Sequence, residues 1–392
     1  MDRRLIWLAV GSFAMSTVGF VFSSLLPSIA ADAHVSIPSA GYLITAFSLA
    51  YAIGAPTLSA LFGTADRRKL LVVAMLIFVA GNGVAATSSS FTALAAAQII
   101  MGMAAGLFAA TAQATAVALA GPEHRALAIS VVVGGTTFAV ALGAPLGALI
   151  ANFWGWRGTF GAIALLGLAC SLVLWLRLPR GMQGTRLTMR ERLHSLGQPG
   201  IMPSLLVTLL YLTGGFMLIS YFAPLAMEGA GLPALALPGM LLAFGVGAVI
   251  GNLSSGFLAD RFGATRVVVL SLILSSLVCL TISFDLTFVP HELAGPILIG
   301  LMVPWGIIGW GFPPAQASRL VAYAPDIAHL TLSLNASAIY LGIAIGTVLG
   351  GRVLEYSTPA NLGVIAAAFP LAALALLAAS LKTARVAPMP AE

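Results

Sequence analysis

Runs of apolar residues, each about 20 long and parted by short polar clusters, follow one another along the whole chain. Twelve can be placed, centred near residues 17, 50, 80, 105, 136, 168, 212, 247, 277, 306, 341 and 372. A bilayer core about 30 Å thick takes about 20 helical residues to cross, so each run predicts a membrane-spanning helix. The one long polar segment, RLPRGMQGTRLTMRERLHSLGQPG from Arg177 to Gly200, separates the sixth run from the seventh. It predicts an N-terminal half over 1–176, a linker over 177–200 and a C-terminal half over 201–392, with six spans in each half. The first run follows MDRR and continues to about Ile29, too long for the apolar core of a signal peptide, so it reads as a retained first helix.

The two halves repeat each other. GAPTLSALFGTADRRK, 54–69, follows the second run and GNLSSGFLADRFGATR, 251–266, follows the eighth; both pass from a glycine through a span end to a basic turn. The fifth run, GGTTFAVALGAPLGALIA, carries Gly135, Gly143, Gly147 and Pro145, all poor helix formers in water. Residues four apart share a helix face, so Gly135, Ala139, Gly143, Gly147 and Ala151 form one smooth stripe. Ala338, Gly342, Gly346 and Gly350 form another in the eleventh run, as do Gly247, Gly251 and Ser255 in the eighth. Smooth stripes let helix backbones approach closely in lipid. Their recurrence at matching places predicts that they serve a rocking contact between the halves, with Pro145 adding a bend and freeing a carbonyl. The fold class expected is all-α and integral to the membrane, with two pseudo-symmetric six-helix halves.

Composition agrees: only 8% of residues are charged, against about 25% in a soluble domain. With the N-terminus in the cytoplasm, sixteen of the 18 Lys and Arg fall on the cytoplasmic side and only Arg157 and Arg352 on the other. The protein is therefore expected in the inner (plasma) membrane with both termini cytoplasmic. The net charge of +6 is spent in short loops facing anionic lipid, so membrane lipid rather than nucleic acid is the expected partner. Cys170 and Cys279 lie within runs and read as apolar filler, not a disulfide. Every Asp, Glu, His, Lys and Arg maps to a loop or span end, which leaves no cluster for enzyme chemistry. GGTTFAVALG has no phosphate-loop Gly-Lys-Ser/Thr, so ATP drive is not supported.

Four passages resemble the major facilitator superfamily, in particular its twelve-span drug and sugar efflux branch of the arabinose and chloramphenicol efflux type. ALGAPLGALIANFWGWRGTF, 141–160, looks like the antiporter motif of the fifth span with the Gly-Trp-Arg that follows it. GFLADRFGATR, 256–266, looks like the family's loop signature, and 25–56 and SLNASAIYLGIAIGTVLGG resemble the first two spans and the eleventh. The resemblance implies an alternating-access transporter, acting as a monomer on a small molecule, with a cavity lined mainly by spans 1, 4, 7 and 10. It implies outward transport without a cofactor, with a proton gradient as the energy source. The sequence departs from the branch where STVGFVFSS has no acid in the first span, where Gln98 stands in place of an arginine, and where Gly63 replaces the signature's acid, leaving Asp66 displaced. An uncoupled facilitator is the alternative.

On the cavity-lining spans, Phe20, Ser24, Gln98, Met101, Gln113, Tyr211, Tyr221, Trp305 and Trp310 are the candidate wall residues, with Asn335 and Tyr340 bordering them. An amide in lipid needs a bond or a wet cavity, which singles out Gln98, Gln113 and Asn335. Such a wall without fixed charge suits neutral or amphiphilic organic molecules. Asp260 with Arg261 and Arg266, and Asp66 with Arg67, Arg68 and Lys69, are candidate gate-closing pairs. Trp154, Trp156 and Arg157 are expected at the outer interface.

Overall fold

In the computed structural model, residues 2–120, 125–183, 197–198, 200–324 and 327–386 are described, and all their regular structure is helical. Most of the predicted linker, and Glu123, His124, Glu191, His194, Asp326 and Glu392 of the charge map, lie outside the described residues. The helices are α1 (Arg4–Asp32), α2 (Ile37–Leu61), α3 (Arg67–Thr87), α4 (Phe91–Ala120), α5 (Arg125–Phe138), α6 (Ala144–Arg177), α7 (Ile201–Ile219), α8 (Leu237–Phe262), α9 (Ala264–Phe288), α10 (His291–Tyr323), α11 (Ala328–Tyr356) and α12 (Asn361–Val386).

Local chemistry explains the irregular points. Between α5 and α6 lies a π-helical turn, Ala139–Gly143, in which the Ala144 N–H reaches back to the Ala139 carbonyl. Pro145 has no N–H to give Ala141, and its ring crowds that carbonyl, so the helix widens just before it. The fifth span thus runs over 125–154 and the sixth over 156–177, joined at Gly155, whose φ of 72° and ψ of 168° break the helix. Counting these separately turns the eleven apolar helices of spanning length into twelve spans. α7 stops at Ile219, and the chain continues through a short turn, Phe222–Pro224, into a second π-helical turn, Leu225–Gly229.

Packing follows one rule twice. α1 packs on α5 and α6, α2 on α4, and α3 on α4 and α6; six spans later, α7 packs on α11 and α12, α8 on α10, and α9 on α10 and α12. Between the two sets α2 meets α11, and α8 meets α5 with its π turn, two contacts related by the same offset.

The glycine stripes sit mainly inside these sets. A Cβ at Gly135 would collide with the Ala9 carbonyl, and one at Gly143 or Gly147 with Thr17 or Val21, all on α1. A Cβ at Gly342 would stand 2.6 Å from the Leu209 carbonyl and one at Gly350 2.8 Å from that of Met217; Gly346 lies against the Thr213 carbonyl, again all on α7. Gly247 and Gly251 face Val303 and Ile307 of α10. The expected use of these stripes as the rocking contact between halves is therefore corrected. A small-residue stripe reports that a backbone comes close but not which one, and here it is a neighbour in the same six-span set. Gly245, two residues from Gly247 and off the predicted stripe, is the glycine of α8 that meets the other set, at Ala141 in the π turn.

Gly346→Ala should cost about 1–3 kcal/mol through overpacking, read as a lower thermal midpoint in detergent. Gly215→Ala on α7, where a Cβ meets nothing within 4 Å, should leave the midpoint unchanged or raise it.

Candidate functional site: a central cavity between the two helix sets

The first two strips of side chains that meet across the sets are aromatic. Phe20 of α1 stands 5.7 Å from Trp310 of α10 and 6.4 Å from Phe216 of α7, ring centre to ring centre. Tyr340 of α11 stacks on Tyr51 of α2 at 3.5 Å with planes 15° apart, and Phe47 stands 6.5 Å from Tyr340. Polar ties flank them: Asn252 Nδ2 donates to Thr137 Oγ1 at 2.7 Å, and Ser337 Oγ donates to the Ala52 carbonyl at 3.0 Å.

These rings enclose a cavity of about 20 Å³, room for a single water, lined by Ser16, Phe20, Phe47, Ser48, Gln98, Phe216, Tyr340 and aliphatic neighbours. On the other side of Phe20 lies a smaller void of about 10 Å³, against Val140 and Ala144 of the fifth span and Phe244 and Trp305. Gln98 is 2% exposed, and its Oε1 has no partner. A buried acceptor left unmade costs about 1–3 kcal/mol, so this amide is poised for a donor that enters the cavity. No Asp, Glu, His, Lys or Arg lines either void.

Of the candidate wall residues, Phe20, Gln98, Trp305, Trp310 and Tyr340 gather at or beside these voids. The others are placed elsewhere. Ser24 donates to the Val21 carbonyl in its own helix, and Met101 is buried against Gly81 of α3. Gln113 is half-buried toward the end of α4. Tyr211 donates to Ile308 and stacks on Phe312; Tyr221 donates to Thr347 and packs on Gly41 and Gly351. Asn335 accepts from Thr208 at 2.8 Å, in a buried cluster where Gln316 also bonds Ser204 and Arg319. The reading by spans 1, 4, 7 and 10, with Tyr340 of span 11 beside them, missed the wall given by α2. Phe47 and Tyr51, four apart on α2, were the available signal.

Some of the mapped end-of-span charges are buried. Asp285 in α9 and Arg319 in α10, mapped to span ends, are 1% and 4% exposed, and neither Asp285 carboxyl oxygen has a partner. Arg68 is buried too, 4.4 Å over the Trp175 ring. Trp154 is 74% exposed, as an interfacial anchor requires, but Trp156 is buried against Phe160. Arg157 bonds Asp32 at the end of α1 and the Ser88 carbonyl beyond α3.

The loop motifs act within one set. Asp66 caps α3, accepting from the Arg68 and Lys69 N–H groups, and accepts at 2.8 Å from Gly181 past the end of α6. Arg67 donates to the Ala114 carbonyl of α4. Asp260, Arg261 and Arg266 are exposed, and among the described residues none of the three forms an ion pair.

The sequence pattern of the Major Facilitator Superfamily matches residues 8–254 and 239–391. The chain belongs to that superfamily. The MFS-type transporter YbcL of Bacillus subtilis is 32% identical over 348 residues, 89% of this chain and 88% of the relative. The chloramphenicol resistance protein of Streptomyces lividans is 31% identical over 385 residues, 97% and 96% of the two chains. A solved structure, a bacterial homolog of the human lysosomal transporter Spinster in an inward-facing and occupied conformation, shares the fold at 16% identity with a TM-score of 0.74, over 99% and 98% of the chains. This member of the major facilitator superfamily is thus a multi-pass membrane transporter, and its relatives are transporters rather than enzymes.

Partial burial works to raise the Asp66 pKa, but the N–H bonds from Gly181, Lys69 and Arg68, with the Lys69 charge, outweigh it and hold the carboxyl below its usual value. Its stabilising effect is therefore full above the unfolded carboxylate pKa of about 3.9 and is lost as pH falls through the lower folded value. Asp66→Ala should lower stability by about 1 kcal/mol at neutral pH. The gap from the wild type, followed by thermal unfolding in detergent, should close as the pH is taken below that range.

Proposed function

We propose that the protein exports small neutral or amphiphilic organic compounds across the bacterial inner membrane by alternating access, in exchange for protons. The observation that carries this reading is the central cavity: walled by Phe20, Phe22, Phe47, Phe216 and Tyr340 with aliphatic neighbours, uncharged, and bearing one unpartnered amide acceptor, Gln98. An uncharged aromatic wall favours apolar bodies, while Gln98 favours a hydroxyl or amide N–H on the ligand. The voids are too small for any drug, so binding requires the aromatic rings between the sets to part. The drug named for the Streptomyces relative is a neutral aromatic compound bearing hydroxyl and amide donors, and it is the first probe. The basic face, with both termini, is assigned to the cytoplasm.

A second reading, an uncoupled facilitator, is favoured by the lack of any ionisable carboxyl or imidazole lining the described voids.

The test is uptake of chloramphenicol and a panel of neutral aromatic compounds into inside-out vesicles, with the proton gradient present and then collapsed. Accumulation that disappears with the gradient supports antiport; protein-dependent equilibration that ignores it supports the facilitator. No protein-dependent movement of any panel member overturns both. Gln98→Leu should raise the thermal midpoint of the ligand-free protein, because it removes a buried unmade acceptor, and should weaken binding of donor-bearing compounds about five- to tenfold. Unchanged binding would exclude Gln98 from recognition.

A further inference from the structure

A second concavity, far roomier than the central one, lies away from the seam. It is a groove of about 350 Å³ between α8 and α9, floored by α10. Leu258 and Phe262 of α8, Leu270 of α9 and Ile307 of α10 give it an apolar wall, and Arg266 lines the end nearest the α8–α9 turn. Phe262 and Leu270 are about half exposed at its rim, so the groove opens sideways, toward lipid. Between Arg266 and Leu274 it follows eight residues of α9, about 12 Å at 1.5 Å per residue, so it runs from the span end roughly to mid-bilayer. That is the depth of one leaflet.

The turn is basic on balance. Arg261 is exposed with its guanidinium 5.5 Å from the Phe262 ring, Arg266 is exposed, and Asp260 is the acid of the turn sequence itself. Among the described residues, no internal ion pair satisfies either arginine. An apolar trough one leaflet deep, with uncompensated cationic charge at headgroup level, matches an acyl chain attached to an anionic headgroup. We propose that this groove binds an anionic glycerophospholipid, with one acyl chain between α8 and α9 and the phosphate at Arg266. The signature passage GFLADRFGATR then has a role that gate closure does not give it. Leu258, Phe262 and Arg266 recur every four residues along it and build the wall and mouth of the site. The inference does not depend on what the central cavity carries.

Native mass spectrometry of the full-length protein, released from micelles titrated with phosphatidylglycerol or with phosphatidylcholine of the same chains, tests this. Phosphatidylglycerol should bind more tightly, and Arg266→Gln should weaken it about fivefold, the worth of one arginine near an anionic headgroup. Arg177→Gln, an equal loss of charge at the end of α6, should leave it unchanged. Leu258→Trp, which fills the groove, should weaken phosphatidylglycerol at least as much as Arg266→Gln and decides the matter if that variant does not fold. Equal affinity for the two lipids, equal losses for the Arg266 and Arg177 variants, unchanged binding in Leu258→Trp, or displacement of the lipid by inorganic phosphate alone would each overturn the proposal.

Discussion

Within a bilayer, apolar side chains gain nothing from leaving water, because lipid is as apolar as the protein interior. What holds the helices together here is closeness of backbone to backbone. α5 lies on α1, α11 on α7, α8 on α10 and α2 on α4 with glycines at the crossings, so that a main-chain carbonyl of one helix nearly touches the Cα of the next. Each six-span set is built from such crossings, and each has little freedom to repack, since even a methyl group would have to displace a carbonyl.

The seam between the sets adds ring and side-chain contacts to a backbone approach of the same kind. It has Gly245 against the π turn, a ring stack of Tyr51 on Tyr340, and a few side-chain bonds such as Asn252 to Thr137. Side-chain bonds between helices in membranes are worth about 0.6 kcal/mol each on average. Across this seam α2 packs on α11 about as extensively as helices do within a set, and the central cavity falls there. On the alternating-access reading proposed above, the pathway and the plane of motion coincide.

Much of this was legible in the sequence. Length and hydropathy place every span, because a bilayer constrains helices by thickness and composition alone. The smooth stripes were visible as four-residue spacings, but spacing has no information about partners, so Gly135 and Gly346 were assigned to the wrong contact. The cavity was half legible: Phe20, Gln98 and Tyr340 could be named, whereas Tyr211 and Tyr221 look equally suitable in the sequence and turn out to bond main-chain carbonyls inside their own set. Arg68 and Arg319 were counted correctly as end-of-span charges. Their burial depends on which neighbours fold over them, and that is a tertiary fact.

Gly155 joins the fifth and sixth spans without a loop. A connection of one residue has no slack, so the two spans act as a single bent lever, pinned where Arg157 grips Asp32 and the Ser88 carbonyl. The corresponding corner between α11 and α12 is given four residues, 357–360. Any displacement of the π turn against α8 must therefore swing the sixth span along with the fifth, while the eleventh span can shift with less drag on the twelfth. The two sets share a plan but differ at this corner, one residue in the first set and four in the second.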